Sequence, residues 1–184
     1  MTDLTLAVVV LAAGQGTRMK SSRPKVLHSI AGRSLIGHVL ATAGELQPGH
    51  VIAVVRHARD SVVESITDAM PNALIVDQDE IPGTGRAVEV AIAALPADFA
   101  GDVVVVSGDV PLLDAATLRS LIDTHRAASA AATVLSAILD DATGYGRIVR
   151  GSGGEVDRIV EQGHSHARQV LAQPEVQALL KSAP

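Results

Sequence analysis

Short continuous apolar runs alternate with amphipathic stretches along the chain as far as Ala130, and that alternation predicts strand and helix in turn. Ala7 to Leu11, Val51 to Val55, Leu74 to Val76 and Asp102 to Ser107 read as strands. Three of the four are rich in valine and each is bounded by turn residues, as suits strands buried on both faces of a parallel sheet. Between the first two strands, Leu35, Ile36, Val39 and Leu40 recur at helical spacing behind Ser34, an N-cap residue type, and Pro48-Gly49 closes the segment. Val62, Val63 and Ile66 mark the face of a second helix beginning at Asp60 or Ser61, where Ser61 and Glu64 have capping-box spacing. A third helix is expected over Arg86 to Leu95 and a fourth from an Asp114 cap to Arg126. Beyond Ala130 the pattern changes. Ala132 to Leu139, Gly146 to Arg150 and Val156 to Glu161 read as β-structure, the last two joined by a turn at Gly151-Ser152-Gly153-Gly154 into a hairpin-like lid. Gly163 to Pro184 reads as two short helical pieces broken at Pro174, with Val176, Leu179 and Leu180 on one face.

This order predicts an α/β, Rossmann-like, three-layer fold with a mostly parallel sheet and a β-rich C-terminal segment. Residues 1–162 are expected to form one domain and 163–184 a divergent helical tail. In such a sheet ligands bind beyond the carboxyl ends of the strands. Gly14-Gln15-Gly16 follows the first strand, Gln78 to Thr84 the third and Asp109 the fourth, so loops distant in sequence should converge on one pocket.

Composition narrows the function classes. Apolar residues make up 47% of 184, yet aromatics only 1%, Phe99 and Tyr145, so the core must be Val, Ile, Leu and Ala. Base-stacking platforms are therefore lacking, and the net charge of −5 opposes binding to a phosphate backbone; nucleic acid is not an expected partner. There is no cysteine, hence no disulfide framework or thiolate metal site. No apolar stretch approaches the ~18 residues of a membrane span, and no basic leader precedes a cleavage site, so a soluble cytoplasmic protein is expected. No short repeat of the parallel β-helix kind appears.

Three loops carry candidate chemistry. Gly14 and Gly16 permit dihedrals that let successive backbone N–H groups turn towards one anion. Arg18 adds a planar fork for phosphate oxygens, and Lys25, behind the stiff Pro24, adds a mobile point charge; these two are the candidate catalytic residues. The pattern lacks the third glycine of a dinucleotide fingerprint and is not a Walker-type phosphate loop, so a tight turn with two solvated cations is the competing reading. Gln78 with Gly83-Thr84 places an amide, donor and acceptor at once, beside flexible backbone that could read a base edge. A polar loop whose threonine caps the next helix competes with it. Asp109, in Ser107-Gly108-Asp109-Val110-Pro111-Leu112 after four valines, suits a hard cation such as Mg²⁺, which takes one or two carboxylates and completes its shell with water and phosphate oxygens. A turn-forming aspartate before proline is the alternative there.

Leu11-Ala12-Ala13-Gly14-Gln15-Gly16-Thr17-Arg18-Met19 followed by Pro24-Lys25 resembles the signature of sugar-phosphate nucleotidylyltransferases. Pro24 to Leu35, Gly83-Thr84-Gly85, Ser107 to Leu112 and Gly144-Tyr145-Gly146-Arg147-Ile148 extend the likeness. They resemble the uridylyltransferase domain of bacterial bifunctional UDP-N-acetylglucosamine diphosphorylase/glucosamine-1-phosphate N-acetyltransferases, from Ala7 to Gln162. That resemblance implies transfer of UMP from UTP to N-acetylglucosamine 1-phosphate with release of pyrophosphate, a step of peptidoglycan-precursor synthesis. It implies nucleotide binding by Ala13, Gln78, Gly83 and Thr84, to which the phosphate cradle read from the residues themselves adds Leu11, Ala12, Gly14, Gly16 and Lys25. Sugar binding falls to Gly146 and Glu161, and Mg²⁺ binding to Asp109.

Two departures accompany the likeness. Arg86 stands where the family pattern has histidine. After Glu161-Gln162 the family continues to an E-x-N-[TA]-G motif and a later asparagine at the metal, and neither occurs in this sequence. Turnover is accordingly expected to be impaired, with acetyl transfer absent. A nucleotide-binding remnant without turnover and a relative acting on another sugar phosphate or base stand as alternatives. Missing strands would leave a sheet edge with which a second chain could pair, giving a homo-oligomer. His164 and His166 are assigned no role.

Overall fold

A computed structural model describes residues 5–14, 19 and 21–160. Within them the order is β1 (Thr5–Leu11), β2 (Ser29–Ile30), β3 (Arg33–Ser34), α1 (Leu35–Glu45), β4 (His50–Val55), α2 (Arg59–Ala69), β5 (Leu74–Asp77), α3 (Thr84–Ala93), β6 (Gly101–Ser107), α4 (Ala115–Ala127), β7 (Arg147–Arg150) and β8 (Val156–Val160). The chain divides after Thr133 into two compact units.

In the first unit, four strands form a parallel sheet in the order β5-β4-β1-β6. β1 is flanked on both sides, Ala7 to Leu11 lying opposite His50 to Val54 and Thr5 to Leu11 opposite Gly101 to Ser107. Because successive side chains point to opposite faces, β1 is divided between two cores. Val8 and Val10 face α1, α2 and α4, where they pack with Ile36, Leu40, Val62, Ile66, Leu118 and Ile122. Val9 faces the other way with Ile52 and Val54, against Ala87 and Ala91 of α3. Val8, Val9 and Val10 are each fully buried, which stabilises by roughly 1.5–3 kcal/mol per side chain. The result is the expected three-layer, Rossmann-like α/β arrangement, and its core is aliphatic throughout.

Helix starts agree with the caps read from sequence at two places. Ser34 Oγ accepts from Gly37 N–H at 3.1 Å and Asp114 Oδ1 from Thr117 N–H at 2.7 Å. The capping box at Ser61 does not form. α2 begins two residues earlier, after Ala58 in the left-handed region (φ 48°), and Ser61 Oγ donates to the Ala58 carbonyl instead of accepting an amide. The residues just before α1 also form a hairpin that the sequence reading did not include. Ala31 (φ 51°) and Gly32 (φ 78°) make a tight reversal between β2 and β3, and both positive dihedrals are what a two-residue hairpin turn demands.

The second unit, over its described residues, holds the antiparallel hairpin β7-β8, with Arg147 opposite Val160 and Ile148 opposite Ile159. Its turn is closed by Gly151 N–H donating to the Glu155 carbonyl at 2.9 Å. Ala132 to Leu139, expected as a strand, is not one. It has no ladder partner among the described residues, and Val134, Leu135, Ile138 and Leu139 are exposed. Strand-like composition alone does not make a strand when the backbone groups find no second strand to bond. The expected helical tail lies outside the described residues. Among those described, no helix is long and apolar enough to cross a membrane.

Candidate functional site

The carboxyl ends of β1, β4, β5 and β6 open onto a cleft of about 580 Å³, within the usual size for a small-molecule site. Leu11, Ala13 and Gly14 reach it from β1, Lys25 from the turn after that loop, Gln78, Gly83 and Thr84 from the β5-α3 loop, and Asp109 from the end of β6. The convergence expected of these loops is therefore present in the geometry. Ala12 is the exception among the described members of the first loop: it is buried, and its N–H donates to the Val54 carbonyl at 2.8 Å. Gly16, Arg18 and Glu161 lie outside the described residues, and Gly146 immediately precedes β7 in the second unit.

Lys25 is positioned by burial of its two successors in the chain. Lys25–Leu27 form a single 3₁₀ turn in which Val26 and Leu27 enter the core, Leu27 N–H donating to the Pro24 carbonyl at 3.0 Å. Asp109 is positioned by a close approach of two strand ends. Gly108 N–H donates to the Leu11 carbonyl at 2.9 Å, and a Cβ on Gly108 would stand only 3.0 Å from that oxygen, so glycine fits this crossing best. The two elements bring Lys25 Nζ to 2.6 Å from Asp109 Oδ2, while Ser107 Oγ donates to Asp109 Oδ1 at 2.7 Å. Burial alone would push the Asp109 carboxyl up. The Lys25 ammonium and the Ser107 hydroxyl outweigh it and hold the group below its ordinary value. The sequence placed Lys25 and Asp109 in a site but did not foresee their ion pair or the Ser107 hydrogen bond.

The β5-α3 loop is braced from within. Gln78 Nε2 donates both its hydrogens to the loop, to the Ile81 carbonyl at 3.0 Å and the Gly83 carbonyl at 3.1 Å, leaving Oε1 as an acceptor. Asp79 accepts from Ile81 N–H and takes both Arg86 Nε and Nη2 on Oδ2, and Arg86 also reaches Glu89. The Arg86 hydrogen bond holds the Asp79 carboxyl below its ordinary value. Thr84 does not cap α3; it is the first helical residue, after Gly83 at φ 123°.

Arg56 and His57 also line the cleft and were not singled out by sequence. Both come directly after β4, so the rule that picked the ends of the other strands would have found them. Arg56 Nη2 donates to the Glu80 carbonyl at 3.2 Å. No group of three or more His, Cys, Asp or Glu side chains suited to a metal exists among the described residues.

The fold and cleft can be set beside known proteins. The chain is 66% identical over 161 residues to "Bifunctional protein GlmU" of Leifsonia xyli, covering 88% of this chain and 33% of that protein. It thus spans about a third of the length of the curated relatives it matches. Among solved structures, the manganese complex of Rv0371c from Mycobacterium tuberculosis is similar at a TM-score of 0.55 and 27% identity, over 67% of this chain and 60% of that one. HddC from Yersinia pseudotuberculosis in complex with GMP-PN gives a TM-score of 0.61 at 23% identity, over 84% and 68%. The last likeness concerns the fold alone. With the model of the MobA-like NTP transferase domain matching residues 8–177, the chain belongs to that family.

Proposed function

We propose that this chain supplies the nucleotidyl-transfer site of a uridylyltransferase that moves UMP from UTP to N-acetylglucosamine 1-phosphate and releases pyrophosphate. One observation carries the reading: Lys25 and Asp109 meet at 2.6 Å on the wall of the cleft that the β5-α3 loop also lines. A mobile cation and a hard carboxylate beside each other are the parts that triphosphate binding needs. The resemblance in the sequence, together with the 66% identity to a bifunctional GlmU protein, supports the choice of UTP and an amino-sugar phosphate.

The chemistry needs no covalent enzyme intermediate. A phosphate oxygen of the acceptor attacks the α-phosphorus of UTP, a new P–O bond forms, and the bond to the bridging oxygen breaks. Pyrophosphate leaves with that electron pair. The nucleophile is already ionised, so no side chain has to remove a proton. Arg18 and Lys25 are assigned to neutralise phosphate charge, and the backbone of Ala13, Gly14 and Gly16 to cradle the phosphates. Gln78, Gly83 and Thr84 are assigned to the base, Gly146 and Glu161 to the sugar. A single partly exposed carboxylate flanked by a hydroxyl fits Mg²⁺ of the kind that rides on a triphosphate, and we assign Asp109 to hold it. Bound there, Mg²⁺ would supply charge neutralisation at the phosphates. Residues 1–162 are taken as the transferase domain, and a nucleoside triphosphate as donor agrees with a cytoplasmic setting.

Pyrophosphate release by the purified chain with UTP, Mg²⁺ and N-acetylglucosamine 1-phosphate tests this assignment, with UTP binding measured in parallel. UTP binding without release would mark a nucleotide-binding protein, and release with a different sugar phosphate would reassign the acceptor.

A further inference from the structure

Arg56 stands in the cleft between two loops that the proposed function already uses. It comes directly after β4, which lies between β1 and β5 in the sheet, and it lines the same space as Gln78 and Thr84. Its hydrogen-bonding state is unusual for its surroundings. Arg59 is paired with Asp77 and Arg86 with Asp79, each at 2.6 Å. Arg56 has no carboxylate partner within ion-pair distance among the described residues and gives one N–H to the Glu80 carbonyl. A guanidinium has five N–H groups in a fixed plane, so that bond orients the fork and leaves further donors for a ligand.

The neighbouring glutamine has the opposite character. Both hydrogens of the Gln78 amide are engaged by the Ile81 and Gly83 carbonyls, so Gln78 can only accept. The β4 and β5 ends thus line the cleft with one donor group, oriented by the Glu80 carbonyl, and one acceptor held by the loop. A uracil edge presents N3–H as donor beside two carbonyl acceptors and satisfies both. The corresponding cytosine edge presents an unprotonated N3 and an amino group, so each would face its like.

We propose that Arg56 is a specificity-determining residue that selects a uracil base over cytosine by donating to a base carbonyl while Gln78 accepts from N3–H. The proposal rests on the reading of the cleft as a UTP site. A site built to hydrogen-bond a particular group discriminates strongly against an analogue that leaves its polar groups unpaired.

The test is titration of the full chain with UTP and with CTP, each with Mg²⁺, in wild type, Arg56→Met and Arg56→Lys. Wild type is expected to prefer UTP. Arg56→Met is expected to lose about tenfold or more in UTP affinity while CTP affinity changes by less than about twofold, the scale of one lost charge-assisted hydrogen bond. Arg56→Lys keeps the charge and a donor, serves where the methionine variant fails to fold, and is expected to retain part of the preference. A purely structural brace would lower both affinities together. Equal losses, or an unchanged UTP to CTP ratio in both variants, would overturn the proposal while leaving the UTP site standing. A wild-type chain that binds no UTP would overturn the reading of the cleft, and the proposal with it.

Discussion

Lys25 Nζ lies 2.6 Å from Asp109 Oδ2, so the cation assigned to phosphate and the carboxylate assigned to a metal are each other's partners in the structure. Any ligand that engages both has to separate them or insert between them. The pair holds the Asp109 carboxyl below its ordinary value against the opposing effect of burial.

Acid stability depends on that depression. The unfolded chain binds the Asp109 proton more tightly than the native chain, so the group adds stability above its ordinary value, 3.8, and the contribution is lost as pH falls through the lower native value. Asp109→Asn is expected to be less stable than wild type at neutral pH by about 1 kcal/mol or less, since solvent screens a pair whose lysine is 43% exposed. Urea melts from about pH 6 down to about pH 3 should show that gap closing at the acid end. A gap constant over the whole range would mean that the native carboxyl titrates as it does in the unfolded chain.

Ligand binding should separate the roles of the two partners. Lys25→Ala is expected to weaken UTP binding by about 1.5–3 kcal/mol, the loss of one charge-assisted contact, in calorimetric titrations with Mg²⁺ present. Asp109→Asn should instead flatten the dependence of UTP affinity on Mg²⁺ and leave affinity in a chelator nearly unchanged. Equal UTP affinity in wild type and Lys25→Ala would take the lysine out of the site.

The sheet and the cleft were legible because buried parallel strands have to be apolar and their carboxyl ends have to carry the ligand loops. Val8 to Val10, the Ser34 and Asp114 caps and the convergence of Gly14, Gln78 and Asp109 all reflect local pattern and those two constraints. The features that were not legible depend on contacts between distant residues. The Lys25-Asp109 pair requires Gly108 to approach Leu11, which no local pattern encodes. Ala132 to Leu139 has the composition of a strand but lacks a partner among the described residues, and Ser61 has cap spacing but sits within a helix that starts after a left-handed residue. Arg86 reads as an isolated departure from the family pattern, whereas in the fold it bonds to Asp79 and Glu89 and braces the loop that holds Gln78.

Two helix ends offer stabilising substitutions. Gln47 (φ 52°) lies just past α1 and Ser129 (φ 46°) just past α4, both exposed or half-exposed residues in the left-handed region, where the Cβ crowds the following carbonyl. After α4 the geometry is that of a Schellman cap, with Ala130 N–H donating to the His125 carbonyl at 3.2 Å. Gln47→Gly and Ser129→Gly are each expected to raise stability by about 0.5–1 kcal/mol, relief of strain exceeding the extra freedom of glycine in the unfolded chain. With one site ending α1 and the other α4, the double variant should show the sum in thermal melts. A loss in either single variant would mean that the side chain contributes more than its backbone strain costs.

Gln78 gives the sharpest separation of loop geometry from fold stability. Its amide donates to the Ile81 and Gly83 carbonyls, so the glutamine acts as a clasp that sets the path of the β5-α3 loop. Gln78→Ala removes the clasp and leaves both carbonyls to water, since the loop is exposed. Gln78→Glu does more: an ionised carboxylate has no hydrogens to give and would face two carbonyl oxygens, driving the loop away from its path. Both variants should melt within about 0.5 kcal/mol of wild type, as surface changes outside the core do. UTP affinity should then fall in the order wild type, alanine, glutamate, because the base loses its acceptor in the first substitution and its loop in the second. Lowering the pH through the ordinary glutamate range should recover part of the loss in Gln78→Glu alone, since the protonated acid can again donate to one carbonyl. Equal affinities for alanine and glutamate at neutral pH would show that the loop holds its path without the clasp.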